Sequence, residues 1–377
     1  MLPVVRQLGM QAVVCSDFQE AEVAEVPRPD PADDEVLVEV ERVQLSVTEC
    51  ELYRGIATSP SYDRVRERMV NGDGLLFGHE FCGTVVEAGP AVEAFDVGDR
   101  VYAPGKIPCH DCAYCRAGRE KLCANKATIG LDRPGALAEY VALPTEPLSH
   151  LLEDVSAAAG AAMQPVAAAM IGVHDAPIES GDVVAVVGTG AMGFSTGQFA
   201  RYAGAGEVIA IDVDTQKLDL AAERDMRPVD AREADPVAAV EDATGGIGAD
   251  VVFECVGGDQ DDATGGDGPL AQSFAMVRRG GSVVQVGYIC GEVTLTPRAV
   301  KAESVDWLNP PRWLPELGPN AEMGTLAAEM VADGRVSVEE FVTHEFRGLE
   351  SFERAIEVTA NKPDHDALGP AQIVLTG

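Results

Sequence analysis

Apolar and polar positions change their rhythm near the middle of this 377-residue chain. Early on, apolar residues come in short runs separated by turn-formers. Gln11-Ala12-Val13-Val14 and the alternating stretch from Glu35 to Val43 predict strands, and the proline- and aspartate-rich segment from Pro27 to Asp34 predicts the turn between them. Thr84 to Glu87 and Arg100 to Ala103 continue this style, so the chain up to about residue 150 reads as mainly β. From Val155 the texture changes. Ala157 to Ala169 predicts a helix, and four apolar runs follow: Val183 to Val187, Glu207 to Ile211, Asp250 to Glu254 and Ser282 to Val286. Their spacing is that of βαβ units, whose parallel strands are buried on both faces. Two amphipathic helical stretches, Met323 to Ala332 and Leu349 to Thr359, precede a strand-like end from Ala371 to Leu375. No internal repeat is visible. The expected fold is α/β, a mainly β domain joined to a doubly wound parallel sheet, with the first boundary near residue 160.

Composition narrows the partners. Against 62 Asp and Glu stand 28 Lys and Arg, a formal charge of -34, and only six of the basic residues are lysine. Such a surface repels nucleic acid and anionic membrane alike. The acids are dispersed and 46% of the residues are hydrophobic, so a real core is expected rather than an acidic disordered tail. Dispersed acid with few lysines points to a salt-adapted, halophilic cytoplasm. No run of eighteen apolar residues and no basic, apolar, small-residue leader occurs, so a soluble, intracellular, cytoplasmic protein is expected.

Three clusters carry chemistry. Cys109, Cys112, Cys115 and Cys123 form two Cys-x-x-Cys steps and a fourth thiol. In a chain without a secretory signal this spacing reads as a tetrahedral zinc, and four thiolates leave no open position, so the zinc is expected to be structural. Five further cysteines lie scattered, an odd remainder that argues against a disulfide framework.

The second cluster, Gly188-Thr189-Gly190-Ala191-Met192-Gly193, follows an apolar strand and opens a helix. Its glycines permit a tight turn and close approach of a pyrophosphate, with helix N–H donors behind. Asp212 ends the next strand, placed to take hydrogen bonds from an adenosine ribose and to repel a 2′-phosphate. No Arg or Lys occupies 213–216, which favours NAD over NADP, and Lys217 comes within reach of the ribose if a helix begins at Asp214. The third cluster is Gly78-His79-Glu80, the one histidine with a carboxylate neighbour inside a glycine-bracketed apolar segment.

Taken in order, these motifs resemble the zinc-dependent medium-chain dehydrogenase/reductase superfamily, in its alcohol, polyol and sugar dehydrogenase branch. The resemblance runs from Gln11-Ala12-Val13-Val14 through Val97-Gly98-Asp99-Arg100-Val101 and Gly135 to Val141 to Phe253-Glu254-Cys255-Val256-Gly257 and Gly334-Arg335-Val336. It implies a GroES-like catalytic domain built from 1–160 and 301–377, with a zinc lobe about 105–125, and a Rossmann domain over 161–300, the active site lying in the cleft between them. It also implies a homo-oligomer, dimer or tetramer, and assigns Val256 to coenzyme contact. Aligning Tyr53-Arg54-Gly55 puts Ser46 where the family has its first catalytic zinc ligand, a cysteine. Thr48 falls on the proton-relaying hydroxyl, Glu49 on the acidic residue after it, His79 on the second ligand, Glu80 on a carboxylate that binds metal in some members, and Gln164 on the third ligand.

Zinc serves such enzymes as a Lewis acid in hydride transfer. Replacing a thiolate by Ser46 and a carboxylate by Gln164 lowers the expected affinity for a catalytic zinc and leaves an oxygen-rich set that other divalent ions can enter. Cys50, the nearest other thiol, is expected inside a helix. The function implied is NAD-dependent, zinc-assisted oxidation of a secondary alcohol, polyol or sugar-like. The alternatives are a zinc-free reductase of the same fold acting on enones or quinones, and a non-catalytic NAD sensor.

Overall fold

A computed structural model describes residues 9–57, 59–258, 260, 268–311, 316–318 and 321–376. Residues 1–8, Trp313 and most of the stretch rich in glycine and aspartate between Gly257 and Gly268 lie outside the described residues. The chain divides into two compact units: Met1–Gln164 with Trp313–Asp333 and Val342–Gly377, and Pro165–Arg312 with Gly334–Phe341.

The first unit is built around the strand Glu35–Gln44, whose apolar residues Val36, Leu37, Val38, Val40 and Val43 are fully buried. Both its edges are paired. Glu80–Ala88 runs antiparallel along one edge, while the other pairs with Tyr140–Pro144 over Glu35 to Glu39 and with Gln372–Val374 over Arg42 to Gln44. Arg100–Tyr102 and Ser149–His150 extend the sheet one way and Glu345–Arg347 the other, giving seven strands. Strands from both ends of the sequence thus meet in one sheet. Its core includes Leu45, Leu52, Phe77, Phe81 and Leu137.

The second unit holds a six-stranded sheet in the spatial order Arg227–Asp230, Glu207–Asp212, Val183–Val187, Ala249–Glu254, Val277–Gln285, Asp306–Leu308. Every neighbouring pair is parallel. The four apolar runs form its centre, with Val184, Ala185, Ile209, Val252 and Val283 fully buried. The chain therefore has the α/β architecture expected, one unit mainly β and the other a parallel sheet with its helices.

One expected helix is split. Ala157–Ala161 ends at Ala162 and a second helix, Met163–His174, begins at once. Pro165 explains the break, because it has no N–H for the carbonyl of Ala161 and its ring would clash there; it is tolerated in the first turn of a new helix. Among the described residues no helix is long and apolar enough to cross a membrane.

Candidate active site

The four lobe cysteines converge. Cys112 and Cys115 sulfurs lie 3.5 Å apart, Cys109 and Cys123 3.5 Å, and Cys112 and Cys123 4.0 Å. A zinc–sulfur bond of about 2.3 Å in a tetrahedron requires sulfur separations of about 3.8 Å, so the set fits zinc. Backbone N–H groups of Cys109 and Cys112 donate to the sulfurs of Cys123 and Cys109. The backbone N–H groups of Cys115 and Ala124 hold the Cys112 thiol down to about 6, while burial pushes Cys115 up to about 12. Among the described residues this is the only place where three or more His, Cys, Asp or Glu ligand atoms meet.

His79 is aimed by its approach. Phe77 and Gly78 both adopt left-handed backbone, φ +67° and +80°. For a phenylalanine this is strained, and the strain persists because the surroundings dictate it. The Phe77 N–H donates to the Gly130 carbonyl at 2.6 Å, and a Cβ on Gly78 would lie 2.7 Å from the Leu137 nitrogen. His79 emerges just before the strand Glu80–Ala88 with its backbone N–H and Nδ1 both on Glu49 Oε1, at 3.1 and 2.7 Å.

Glu49 is fully buried. Burial alone would raise its carboxyl pKa, but the charge and hydrogen bonds of His79, with the Ser46 N–H, bring it below the ordinary value. The pairing leaves the imidazole able to ligate a metal. With Nδ1 taken by a buried carboxylate, Nε2 is the nitrogen left to ligate, which is the carboxylate–histidine arrangement of zinc sites. Glu80 Oε1 stands 3.8 Å from that Nε2.

Ser46 and Glu49 also cap the helix Val47–Tyr53 reciprocally. Ser46 Oγ accepts from the Glu49 N–H at 3.1 Å, and Glu49 Oε2 accepts from the Ser46 N–H at 3.2 Å. Such a cap contributes about 1 kcal/mol. Ser46 is therefore already employed, though a hydroxyl keeps further capacity as donor and acceptor. Thr48 sits half-buried in the first turn of this helix, and Cys50 lies inside it, buried, its thiol pushed far up by burial. Gln164 is buried in the first turn of Met163–His174.

A polar chain reaches the site through the sheet. Gln44 lies opposite both Glu80 and Gln372 in register, and its Nε2 donates to Glu80 Oε2 at 2.7 Å. Gln372 Nε2 donates to Gln44 Oε1 at 3.1 Å and to the Ala158 carbonyl at 2.9 Å, while Arg42 donates to Gln372 Oε1 at 3.1 Å. With a cation at one end and a carboxylate at the other, every amide has one orientation.

The Gly188–Gly193 turn is formed as glycine chemistry requires. Gly188 has φ +88°, and a Cβ on Gly193 would lie 1.8 Å from the Gly188 carbonyl oxygen. A Cβ on Gly190, the N-cap of helix Ala191–Ala203, would meet nothing within 4 Å among the described residues. That open ground before the N–H groups of Ala191 and Met192 fits a phosphate.

Asp212 ends the strand Glu207–Asp212, but its oxygens are engaged. Oδ2 accepts from Thr189 N–H at 2.6 Å and Thr189 Oγ1 at 3.0 Å, and Oδ1 from the N–H groups of Val213 and Asp214 at 2.8 and 3.0 Å. Asp212 ties the turn to the neighbouring strand, a role the sequence reading did not include. Asp214 caps the helix Thr215–Glu223, and Lys217 pairs with it at 3.3 Å. Val256 is exposed, on the loop after Ala249–Glu254.

Known proteins agree with this architecture. Residues 32–153 match the alcohol dehydrogenase GroES-like domain and 191–308 the zinc-binding dehydrogenase domain. The chain belongs to the zinc-dependent medium-chain dehydrogenase superfamily, and is a dehydrogenase. It is 30% identical over 372 residues to an erythritol/L-threitol dehydrogenase of Mycolicibacterium smegmatis, covering 93% of this chain and 94% of that protein. An L-threonine 3-dehydrogenase of Deinococcus deserti is 32% identical over 281 residues, covering 73% and 75%. Among solved structures, a zinc-binding dehydrogenase from Sinorhizobium meliloti 1021 bound to NADP superposes with a TM-score of 0.81 at 29% identity, covering 98% of this chain and all of that one.

Proposed function

We propose that the protein oxidises a secondary alcohol, polyol or sugar-like, with NAD as hydride acceptor and a zinc ion at His79. The observation that carries this reading is the buried Glu49 on His79 Nδ1 at 2.7 Å, which leaves Nε2 as the nitrogen that can ligate. His79 and Gln164 would hold the zinc, with Glu80 an alternate ligand and Ser46 a weak or water-mediated one. When bound, the zinc supplies Lewis acidity at the alcohol oxygen and the dinucleotide takes the hydride. The chain's own residues do the rest. Glu49 orients His79, Gln44 steadies Glu80, and Thr48 passes the hydroxyl proton toward solvent.

The dinucleotide would lie with its pyrophosphate over Gly188, Thr189, Gly190, Ala191, Met192 and Gly193, and with Val256 beside it. The Asp212 charge and the lack of Arg or Lys at 213–216 support NAD; Lys217 already has Asp214 as partner. The polyol substrate draws support from the erythritol/L-threitol relative. One observation favours a second reading, a zinc-free reductase: Ser46 has replaced a thiolate and its oxygen caps a helix.

The test is the formation of reduced dinucleotide from a panel of tetritols, pentitols and hexitols with NAD or NADP. Turnover with NAD on at least one polyol is expected. Reduction of enones or quinones with no polyol oxidation would favour the second reading, and binding of NAD without any turnover would favour a sensor.

A further inference from the structure

The last residue of the strand Ala249–Glu254 is a buried acid with no place in the chemistry above. Glu254 is fully buried, and burial raises its carboxyl pKa. Its Oε1 accepts three hydrogen bonds: from the N–H of Val256 at 2.9 Å, the N–H of Gly257 at 3.0 Å and Nε2 of Gln260 at 2.9 Å. Gln260, also buried, accepts through its own Oε1 from the Leu270 N–H at 2.8 Å, at the start of the helix Pro269–Met276. Among the described residues Glu254 Oε2 has no hydrogen-bond partner, and a Cβ on Gly287 would lie 2.6 Å from it.

An acid in this position is costly unless its geometry is needed. Three donors converge on this one oxygen. What they fix is Val256, Gly257 and Gln260. Val256 in turn sits directly on the glycine turn: a Cβ on Gly188 would lie 2.7 Å from Val256 Cγ2 and 3.0 Å from its backbone nitrogen. The Glu254–Gln260–Leu270 link also joins the start of the helix Pro269–Met276 to this acid.

We propose that Glu254 is a positioning residue for the dinucleotide, its Oε1 clamping Val256, Gly257 and Gln260 so that the loop is seated against the Gly188 turn before the coenzyme arrives. The proposal rests on the reading of Gly188 to Gly193 as the dinucleotide site. Preorganising a loop spares its ordering cost on binding, so the effect belongs to coenzyme affinity.

The experiment is fluorescence titration of the zinc-loaded, full-length protein with NADH, together with KM values for dinucleotide and alcohol. Loss of the acceptor in Glu254→Leu is expected to weaken NADH binding by about tenfold and raise the dinucleotide KM in step, with the alcohol KM unchanged. Glu254→Gln, which keeps an acceptor oxygen, is expected to stay within about threefold of the parent. A folded Glu254→Leu that binds NADH as the parent does, or one in which both KM values rise together, overturns the proposal. Should Glu254→Leu not fold, Gln260→Leu keeps the carboxylate and cuts the link to Leu270; weaker NADH binding there supports the clamp and unchanged binding overturns it. A parent protein that binds neither NADH nor NADPH overturns the dinucleotide reading itself, a different result from a parent that binds and variants that do not differ.

Discussion

At Ser46 two demands meet on one side chain. Its oxygen caps the helix Val47–Tyr53 by accepting the Glu49 N–H, and the resemblance read from the sequence aligns it with an expected zinc-ligating cysteine. A cysteine would serve the metal better and the helix worse, since sulfur is a poor acceptor for an N-cap. Ser46→Cys is therefore expected to retain zinc at His79 through dialysis against chelator that strips the parent, while unfolding about 1 kcal/mol more easily. Metal analysis and denaturant unfolding check the two halves; a variant that holds zinc no better than the parent contradicts the ligand set. Glu49 was legible in the sequence only as an acid near the site. Its bond to His79 depends on a fold that brings residues thirty apart together. The Glu80–Gln44–Gln372 chain was invisible for the same reason, because Gln44 and Gln372 are 328 residues apart and amides carry no motif.

At the level of elements, what could be read was what repeats or alternates. The apolar runs of the Rossmann centre and the alternation from Glu35 onward lie where the strands are. The outer strands Arg227–Asp230 and Asp306–Leu308 escaped, because an edge strand is covered less and tolerates polar residues, and so shows no apolar run. The helix Tyr62–Val70 escaped too: it is strongly charged and buries chiefly Val65 and Met69.

One short element was legible only as a motif. Gly334-Arg335-Val336 leads into a turn of 3-10 helix, Glu339–Phe341, which returns to the second unit. There Glu340 Oε1 accepts from Arg224 at 3.0 Å and from Ser337 Oγ at 2.6 Å. Burial pushes its carboxyl up, but the Ser337 hydroxyl and the Arg224 guanidinium outweigh it and hold it below 4.5. A depressed carboxyl stabilises the fold above its unfolded value and ceases to do so as pH falls through its folded one. Glu340→Gln should therefore cost about 1 kcal/mol or less near pH 7, and the gap between variant and parent should close as pH falls below about 4.5. Urea unfolding across that range checks it; a gap that stays constant with pH contradicts the assignment.

Across the whole molecule the dominant quantity is charge, 28 basic against 62 acidic residues, a net of -34. Self-repulsion on this scale is screened by salt, with a Debye length of about 10 Å at 0.1 M. If the surface is adapted to salt, the melting temperature should climb through molar KCl, and a flat response would contradict that adaptation. Charge says nothing of the reaction. The proposed mechanism has two zinc sites of different strength: a structural four-sulfur lobe expected to keep its zinc, and a His79 site poor in anionic ligands expected to lose it readily. The most direct test is turnover with a polyol and NAD measured as zinc is removed by mild chelation and then restored. The account predicts about two zinc ions per chain at full activity, from the four-sulfur set and the His79 set together. It predicts that activity falls with the first ion lost and returns on its re-addition. Undiminished turnover with a single zinc per chain would contradict it.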